Sequence, residues 1–446
     1  MTSVSYEFKR DKSVDNEKIT MIENLELCIR EQNGFVYPNY EKYCISNLPS
    51  LILNMFNIKN TPKSPLEEIT KNFDQQKVKN IVLFVIDGFG FNQFLSHYKE
   101  NRFLSKLVDT ENLYPLTSVF PSQTTNALTT LNTGLSTHEH GLFEYFIYIN
   151  EIGKIVNTLR FESLEFKRQN KIVKQAVDPK SLFSGKSMHS TLKENGINTF
   201  THMCISNANN SCSKVIFDGS TIIPAFKSSD LIVNLRKNLE RSTEETYFFV
   251  HLDSLDTIAH EYGPLSYEYF TELSTICYLL NKEIVKKINP KTAQKTLLLL
   301  SADHGGVDVV PSETTYLNRF PKLIRNLQRG KGGQHILPVG SPREVFLHVK
   351  EEKLRETSEL LSREIGKKAE IVETKEAVEG GLFGLGDVSN EFLERIGNLL
   401  ILPYRNETVW FERSESSGLT YKGYHGGLDE KEMLVPLAVA KLDELK

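Results

Sequence analysis

The sequence predicts an α/β fold: a doubly wound, mostly parallel sheet with helices on both faces, plus a small α+β insertion and an N-terminal helical appendage. Three observations support this prediction. Continuous apolar runs, rich in β-branched and aromatic residues, are typical of strands buried on both faces of a parallel sheet. Helical stretches such as LSYEYFTELSTICYLLNKEIVKKI lie between them, as expected when strands and helices alternate. A change of pattern over residues 343–403 predicts the insertion.

The domain organisation follows from the elements in chain order. Residues 1–78 are mostly polar, with short apolar patches and prolines, and they predict the helical appendage. Residues 79–342 carry the buried strands IVLFVID, TYFFVHLDSLD and TLLLLSADHGG and form the first part of the core. Residues 343–403 read as strand, charged amphipathic helix and strand. Residues 404–446 then return to the main sheet through ETVWFE and EMLVPLAVA.

Composition excludes several classes of function. Over 446 residues the net charge is −4, so no surface for wrapping nucleic acid or for binding an anionic membrane is expected. The longest apolar runs are far shorter than a membrane span, and no signal peptide is evident. Five cysteines without a CxxC pair are typical of reduced thiols. We therefore predict a cytoplasmic protein.

Each of the three buried strands is followed by acidic residues. Asp87 follows the first strand, Asp253 and Asp256 follow the second, and Asp303 follows the third. The carboxyl ends of parallel strands meet at one edge of the sheet, where ligands bind. Clustered carboxylates repel one another unless a cation neutralises them. The sequence therefore predicts a metal site at this edge.

Three histidines sharpen the prediction of a metal site. His260 follows Asp256 by four residues, which puts both side chains on one face of a helix. His304 is adjacent to Asp303, and His425 precedes two glycines that permit close approach of the backbone. Mixed nitrogen and oxygen ligands suit two zinc ions, with manganese or iron as alternatives, better than magnesium or calcium. The remaining histidines considered are assigned structural or loop roles: His138, His140, His251 and His335.

A hydroxyl-rich stretch, FPSQTTNALTTLNTG at 120–134, raises the question of a nucleophile. Pro121 and Ser122 resemble helix start signals, with Ser122 as the N-cap. Thr124 and Thr125 then fall in the first turn, where free N–H groups and the helix dipole favour a phosphate. The deeper hydroxyls are expected to pack or to bond to backbone carbonyls: Thr129, Thr130 and Thr133.

Together these motifs resemble the alkaline phosphatase superfamily, and most closely its type I phosphodiesterase / nucleotide pyrophosphatase family. The resemblance rests on VLFVIDGFG, FPSQTTNALTTLNTGLSTHEHG, DTIAHEYGP, SADHGG and GYHGG, in family order. It covers roughly residues 79–310 and 405–446. It implies a doubly wound core, two metal ions, and a Thr or Ser nucleophile at a helix N-terminus.

The resemblance also implies roles for individual residues. Thr124 corresponds to the nucleophile, ten residues before Gly134, and Thr125 stays the alternative and a substrate contact through its backbone N–H. Tyr145 stands where nucleotide-cleaving members carry an Asn that holds the phosphoryl group, and we expect it to contact substrate through a hydrogen bond or stacking. The implied metal ligands form two sets: Asp256, His260 and His425 for one ion, and Asp87, Asp303, His304 and the oxygen of Thr124 for the other.

The function implied by the resemblance is metal-dependent hydrolysis of phosphodiester bonds, nucleotide pyrophosphates included, through a phospho-threonine at Thr124. The predicted partner is a small phosphoester, with a nucleotide as one candidate. Two alternatives stay open. One is a phosphomonoesterase or phosphonate hydrolase that uses the same site. The other is a non-catalytic, metal-bearing scaffold that binds a partner through the 343–403 insertion.

Overall fold

The computed structural model describes residues 29–71, 73, 77–159, 161–163, 178–413 and 418–446. The predicted appendage before residue 29, Cys28 included, lies outside the described residues. In chain order the strands are β1 (Arg30–Gln32), β2 (Phe35–Tyr37), β3 (Asn80–Ile86), β4 (Leu113–Thr117), β5 (Phe146–Ile149), β6 (Lys154–Asn157), β7 (Glu162–Ser163), β8 (Asn198–Cys204), β9 (Thr221–Ala225), β10 (Thr246–Leu252), β11 (Thr296–Ser301), β12 (Val307–Asp308), β13 (Thr315–Tyr316), β14 (Val339–Ser341), β15 (Glu344–Leu347), β16 (Ala369–Glu373), β17 (Leu399–Pro403), β18 (Val409–Trp410), β19 (Gly423–Tyr424) and β20 (Leu434–Lys441).

The helices alternate with these strands. The longer ones are Leu48–Met55, Thr124–Thr133, Ser228–Arg241, Ser254–Tyr262, Tyr267–Leu279 and Leu354–Ile365. The shorter ones are Phe91–His97, Arg102–Val108, Thr137–His140, Met188–Glu194, Ile205–Ala208, Ser211–Ile216, Pro290–Ala293, Pro321–Asn326, Thr374–Glu379, Asn390–Ile396 and Glu430–Met433. In the described part of the chain, no helix is both long enough and apolar enough to cross a membrane.

A mixed seven-stranded sheet forms the core, in the order β4-β20-β11-β3-β10-β8-β9. Neighbouring strands from β11 to β9 are parallel, whereas β20 is antiparallel to both β11 and β4. Every residue of β3, β10 and β11 is buried, which is why these strands read as uninterrupted apolar runs. The predicted α/β class with a mostly parallel sheet is confirmed.

The strand order explains why the candidate residues meet. Strand β3 lies between β11 and β10, so the three acid-bearing carboxyl ends are neighbours. Strand β4 runs in the same direction as these strands, and its carboxyl end leads to the helix Thr124–Thr133, called here the Thr124 helix. Strand β20 runs in the opposite direction, so it begins at the edge where the parallel strands end. The loop that precedes β20 carries His425 and therefore reaches the same edge.

The insertion folds as a small antiparallel sheet, β14-β15-β17-β16, with its own apolar cluster. The helix Leu354–Ile365 packs on it through Leu361 and Ile365. The sheet begins at Val339, a few residues before the predicted start of the insertion. The segment ETVWFE does not return to the main sheet: its strand β18 pairs with β13 in a separate two-stranded ladder. Only β20 returns, because it carries the long apolar run needed between two buried neighbours.

The N-terminal part of the described chain contains strands as well as helices. Strands β1 and β2 form a hairpin, and the helix Leu48–Met55 follows. The four cysteines in the described residues are free thiols: Cys44, Cys204, Cys212 and Cys277. A cytoplasmic location stays a prediction.

Candidate active site

The Thr124 helix presents a threonine at its first position. Gln123 is extended at the N-cap, and Thr124 begins the helix, which ends at Gly134 in the left-handed conformation with φ 78°. The Thr124 side chain is half-buried, and its Oγ1 lies 3.1 Å from His304 Nε2. The N–H groups of this first turn have no intrahelical acceptor, so they are available to an anion.

Ser122 is not the helix cap, which corrects the sequence prediction. Its hydroxyl donates to the carbonyl of Gly427 (2.9 Å) and accepts from the N–H of Gly426 (3.1 Å). Ser122 therefore ties the helix start to the loop that carries His425. Its carbonyl also accepts a hydrogen bond from His425 Nδ1 (2.9 Å), which reinforces the same connection.

The deeper threonines have structural partners. Thr129 and Thr133 donate to the carbonyls of Thr125 and Thr129, as predicted for back-bonding hydroxyls. Thr130 contacts His140 Nε2 at 3.1 Å. The hydroxyl of Thr125 is buried and has no hydrogen-bond partner among the described residues. Of the two first-turn hydroxyls, the one on Thr124 is the more accessible.

Asp256, His260 and His425 form a group that could hold a metal ion, with potential ligand atoms within 4.8 Å of one another, and it is called here the first ligand group. His260 Nε2 is 3.3 Å from Asp256 Oδ2, and His425 Nε2 is 3.8 Å from Asp256 Oδ1. The helix Ser254–Tyr262 supplies the four-residue spacing that the sequence predicted. His260 Nδ1 donates to the carbonyl of Gly423 (2.9 Å), and together with the bond from His425 Nδ1 this turns both Nε2 atoms toward Asp256.

Asp87, Asp303 and His304, which the resemblance assigns to the other ion, are all buried and are called here the second ligand group. They belong to two overlapping sets that could hold an ion, Asp87 with Asp256 and His304, and Asp87 with His251 and Asp303. His304 Nε2 is 3.5 Å from Asp87 Oδ1 and 3.4 Å from Asp303 Oδ2. His304 Nδ1 donates to the carbonyl of Gly305 (2.9 Å), which leaves Nε2 to face Thr124 Oγ1 and the two carboxylates. The rings of His304 and His425 stack with centroids 3.7 Å apart, so the two groups adjoin.

The charges of these groups are unbalanced without a cation. Burial, with the negative charges of Asp303 and Asp256, raises the pKa of Asp87 well above its usual value. Burial disfavours the charged form of His260, but the adjacent Asp256 carboxylate outweighs it and raises the His260 pKa to about 9. Asp87 Oδ1 and Asp303 Oδ2 are buried and have no hydrogen-bond partner in the described chain. Such a donor set fits divalent cations, because a cation would satisfy these oxygens and neutralise the carboxylates.

From the sequence, His251 was assigned a structural or loop role for lack of a charged partner, but the structure places it against Asp87. It lies on β10, and its Nε2 is 3.0 Å from Asp87 Oδ2. A histidine inside an otherwise apolar strand was the available signal. Asp253, in contrast, lies outside both ligand groups and accepts a hydrogen bond from Asn207.

The other predicted residues lie as follows. Tyr145 is half-buried just before β5, and its ring packs edge-on against Phe146 with centroids 4.6 Å apart. Its role as a substrate contact stays a prediction. Ring nitrogens of the remaining histidines contact uncharged groups, which agrees with structural roles: His138 at the carbonyl of Leu385, His140 at Thr130 and His335 at the carbonyl of Leu327.

Comparison with known proteins identifies the family. The sequence model of the type I phosphodiesterase / nucleotide pyrophosphatase family matches residues 81–428. The chain belongs to this family. The match spans both ligand groups and the Thr124 helix, as well as the small antiparallel sheet. A type I phosphodiesterase is a phosphoric ester hydrolase, so this chain is an enzyme of that class. A search of curated proteins found no match.

Solved structures support the fold of the family. The murine ectonucleotide pyrophosphatase / phosphodiesterase 5 matches with a TM-score of 0.59 at 16% identity. Its inactive variant in complex with AMP and the human protein of the same name each match with a TM-score of 0.58 at 16% identity. Each alignment covers 80% of this chain and 87% of the other. At this identity the likeness establishes the fold.

Proposed function

We propose that this enzyme hydrolyses phosphodiester bonds of small molecules through a phospho-threonine at Thr124. One observation carries the proposal: Thr124 Oγ1 stands at a helix N-terminus, 3.1 Å from His304 Nε2 in the second ligand group. The hydroxyl is thus beside the ligand set that can activate it. The free N–H groups of the first turn are in reach of the same phosphoryl group.

The chemistry divides into two steps. In the first, Thr124 Oγ1 loses its proton to solvent and forms a bond to phosphorus, while the bond to the leaving oxygen breaks and that oxygen takes up a proton from solvent and departs as an alcohol. In the second, the oxygen of water bonds to phosphorus, the bond from phosphorus to Thr124 Oγ1 breaks, the phosphomonoester is released and the threonine hydroxyl is restored. The N–H groups of Thr124 and Thr125 bind non-bridging oxygens in both steps and stabilise their charge.

The two ligand groups are suited to hold two divalent ions. Asp256, His260 and His425 would hold one, and the second group would hold the other together with Thr124 Oγ1. Bound ions supply Lewis-acid chemistry: they lower the pKa of a hydroxyl or of water and offset charge on the phosphoryl group. We propose zinc, because imidazole and carboxylate ligands together favour it over magnesium or calcium.

A nucleotide is the candidate substrate. Support comes from the structural relative that was solved in complex with AMP. Tyr145 would contact the substrate where other family members carry an Asn, and its hydroxyl offers a hydrogen-bond donor for a phosphoryl oxygen.

Replacement of the nucleophile tests this proposal. Thr124→Ala is expected to lower kcat for an activated aryl phosphodiester by on the order of 10³-fold or more. Thr133→Ala is the matched control, because it removes a threonine hydroxyl from the same helix whose partners are backbone groups, the carbonyl of Thr129 and the N–H of Leu135. Unchanged hydrolysis by Thr124→Ala, with metal still bound, would contradict the proposal. Loss of activity in Thr125→Ala alone would transfer the role to Thr125.

Metal analysis of the purified protein completes the test. Two zinc ions per chain are expected, with diester hydrolysis faster than monoester hydrolysis. Chelation should abolish activity, and added zinc should restore it. A protein without bound transition metal that hydrolyses neither ester would refute the proposed function.

A further inference from the structure

We propose that His251 is a positioning residue: its Nε2–H binds one oxygen of Asp87 and thereby directs the other oxygen to the second ligand group. The inference rests on the proposed function, since it concerns the same metal site. The contact is short, 3.0 Å between Nε2 and Asp87 Oδ2, and the imidazole is 1% exposed.

The two carboxylates of the second group share a pattern of hydrogen bonding. Asp303 Oδ1 accepts from the N–H of Gly88 (3.1 Å) and of His304 (3.0 Å), while Asp303 Oδ2 has no hydrogen-bond partner among the described residues. Asp87 repeats this pattern, since Oδ2 binds His251 and Oδ1 has no hydrogen-bond partner in the described chain. The two free oxygens both lie within 3.5 Å of His304 Nε2. In each carboxylate one oxygen is fixed by a donor and the other is free to bind an ion.

His251 supplies the donor that Asp87 lacks from the backbone. Asp303 is held by two main-chain N–H groups, but the side chain of Asp87 has no described donor other than His251. The histidine is placed by its register, since His251 pairs with Val85 on the adjacent strand β3, two residues before Asp87. A strand position of this kind is rigid, so the donor fixes the orientation of the carboxylate before an ion binds.

The contacts of His251 favour this role over packing. Its Nδ1 is buried and has no hydrogen-bond partner in the described part of the chain. A buried imidazole with one unsatisfied nitrogen costs free energy that an apolar side chain would avoid. The bond to Asp87 is the compensating interaction. Outer donors of this type typically contribute 10- to 100-fold in metal affinity.

Zinc affinity of full-length variants tests the inference, measured by competition with a chromophoric chelator. His251→Leu removes the donor and keeps a similar side-chain volume. The Kd of its more weakly bound zinc ion is expected to rise about 10- to 100-fold. His251→Gln keeps an N–H donor near the position of Nε2, so it should recover most of the affinity. His202→Leu is the control, because His202 is a buried histidine on the neighbouring strand β8 whose Nε2 lies near Asn238. It should bind zinc like the wild type.

A second measurement requires no substitution. Side-chain ¹⁵N spectra of the zinc-loaded wild type should show His251 protonated at Nε2. Unchanged zinc affinity in His251→Leu would overturn the inference, and so would a metal-bound Nε2 in the spectra, which would make His251 a ligand. Both results leave the proposed function intact if the wild type binds two ions. A wild type that binds none would overturn both.

Discussion

At the residue scale, Glu344, one of two interacting buried glutamates, contacts the residue that precedes Thr124. Gln123 Nε2 donates to Glu344 Oε1 (3.1 Å) and to the carbonyl of His425 (3.2 Å). Burial raises the pKa of Glu144 to about 8, and burial together with the charge of Glu144 holds the pKa of Glu344 well above its usual value. The pair therefore retains a proton near neutral pH, because two adjacent buried carboxylates cannot both ionise.

The substitution Glu144→Gln tests whether the glutamate pair keeps a proton near neutral pH. A folded-state pKa above the unfolded value of about 4.3 means that the folded protein keeps a proton that the unfolded chain releases. The free energy of unfolding of the wild type should therefore fall as pH rises from about 4.3 to about 8. The variant should lose part of this dependence and should be more stable than the wild type near pH 8. Urea denaturation of the metal-free proteins across this pH range measures the free energy of unfolding.

Glu245→Gln is the control for this substitution, since Glu245 is exposed. Its pH profile should overlay that of the wild type. A profile of Glu144→Gln that also overlays the wild type would show that Glu144 ionises normally in the folded protein.

At the element scale, the turn after β3 brings two ligand groups together. Gly88 has φ +74°, and a Cβ added there would lie 3.2 Å from both Cα and Cβ of Asp256. Its N–H also donates to Asp303 Oδ1. Only a residue without a side chain permits both the left-handed backbone and this approach of Asp87 and Asp256. The Asp-Gly pair that ends the strand is therefore part of the site geometry.

Gly88→Ala is expected to lower the free energy of unfolding by about 1–3 kcal/mol and to weaken zinc binding. Gly196→Ala is a matched control, because Gly196 has φ +82° but no atom within 4 Å of an added Cβ. It incurs the backbone strain without the contact, so its zinc affinity should stay that of the wild type. Thermal unfolding and zinc titration measure the two effects. Equal zinc affinity in both variants would contradict the geometric role of Gly88.

The elements differed in how well the sequence predicted them. Strands β3, β10 and β11 were predicted because a strand covered on both faces requires an uninterrupted apolar run. Strand β18 was assigned to the wrong sheet, since a two-residue strand has no pattern that specifies its partner. The cap of the Thr124 helix was also misassigned, because Ser122 bonds to a loop more than 300 residues away in the chain. The local sequence around Ser122 does not indicate that contact.

At the scale of the whole molecule, one buried ion pair joins the small antiparallel sheet to the core. Arg343, between β14 and β15, is fully buried and donates to both carboxylate oxygens of Glu432 (3.0 and 2.8 Å). Glu432 also accepts from the N–H of Gly427, two residues after His425. The same carboxylate therefore holds both the insertion and the loop that carries a predicted metal ligand.

Arg343→Met is expected to lower the free energy of unfolding by about 3–5 kcal/mol, because it leaves the Glu432 carboxylate buried without its cation. The double variant Arg343→Met/Glu432→Leu should recover part of this loss, since both charges are then removed. Urea denaturation measures the free energy of unfolding of the wild type and of each variant. Arg355→Met breaks an exposed pair with Glu359 and serves as the control, with no measurable change expected. A double variant no more stable than Arg343→Met would rule out the charge explanation.

The sequence by itself determined the class of fold and the family, and it predicted the residue types of the site. Uninterrupted apolar runs indicate buried strands, and acidic residues at the carboxyl ends of these strands indicate the edge of the sheet where a ligand binds. The tertiary structure alone decided which atoms face one another: that His251 contacts Asp87, that Ser122 fastens the loop of His425, and that Arg343 pairs with Glu432. These contacts join residues 89 to 305 positions apart. Local patterns encode periodicity and burial, whereas such pairings depend on strand order and register.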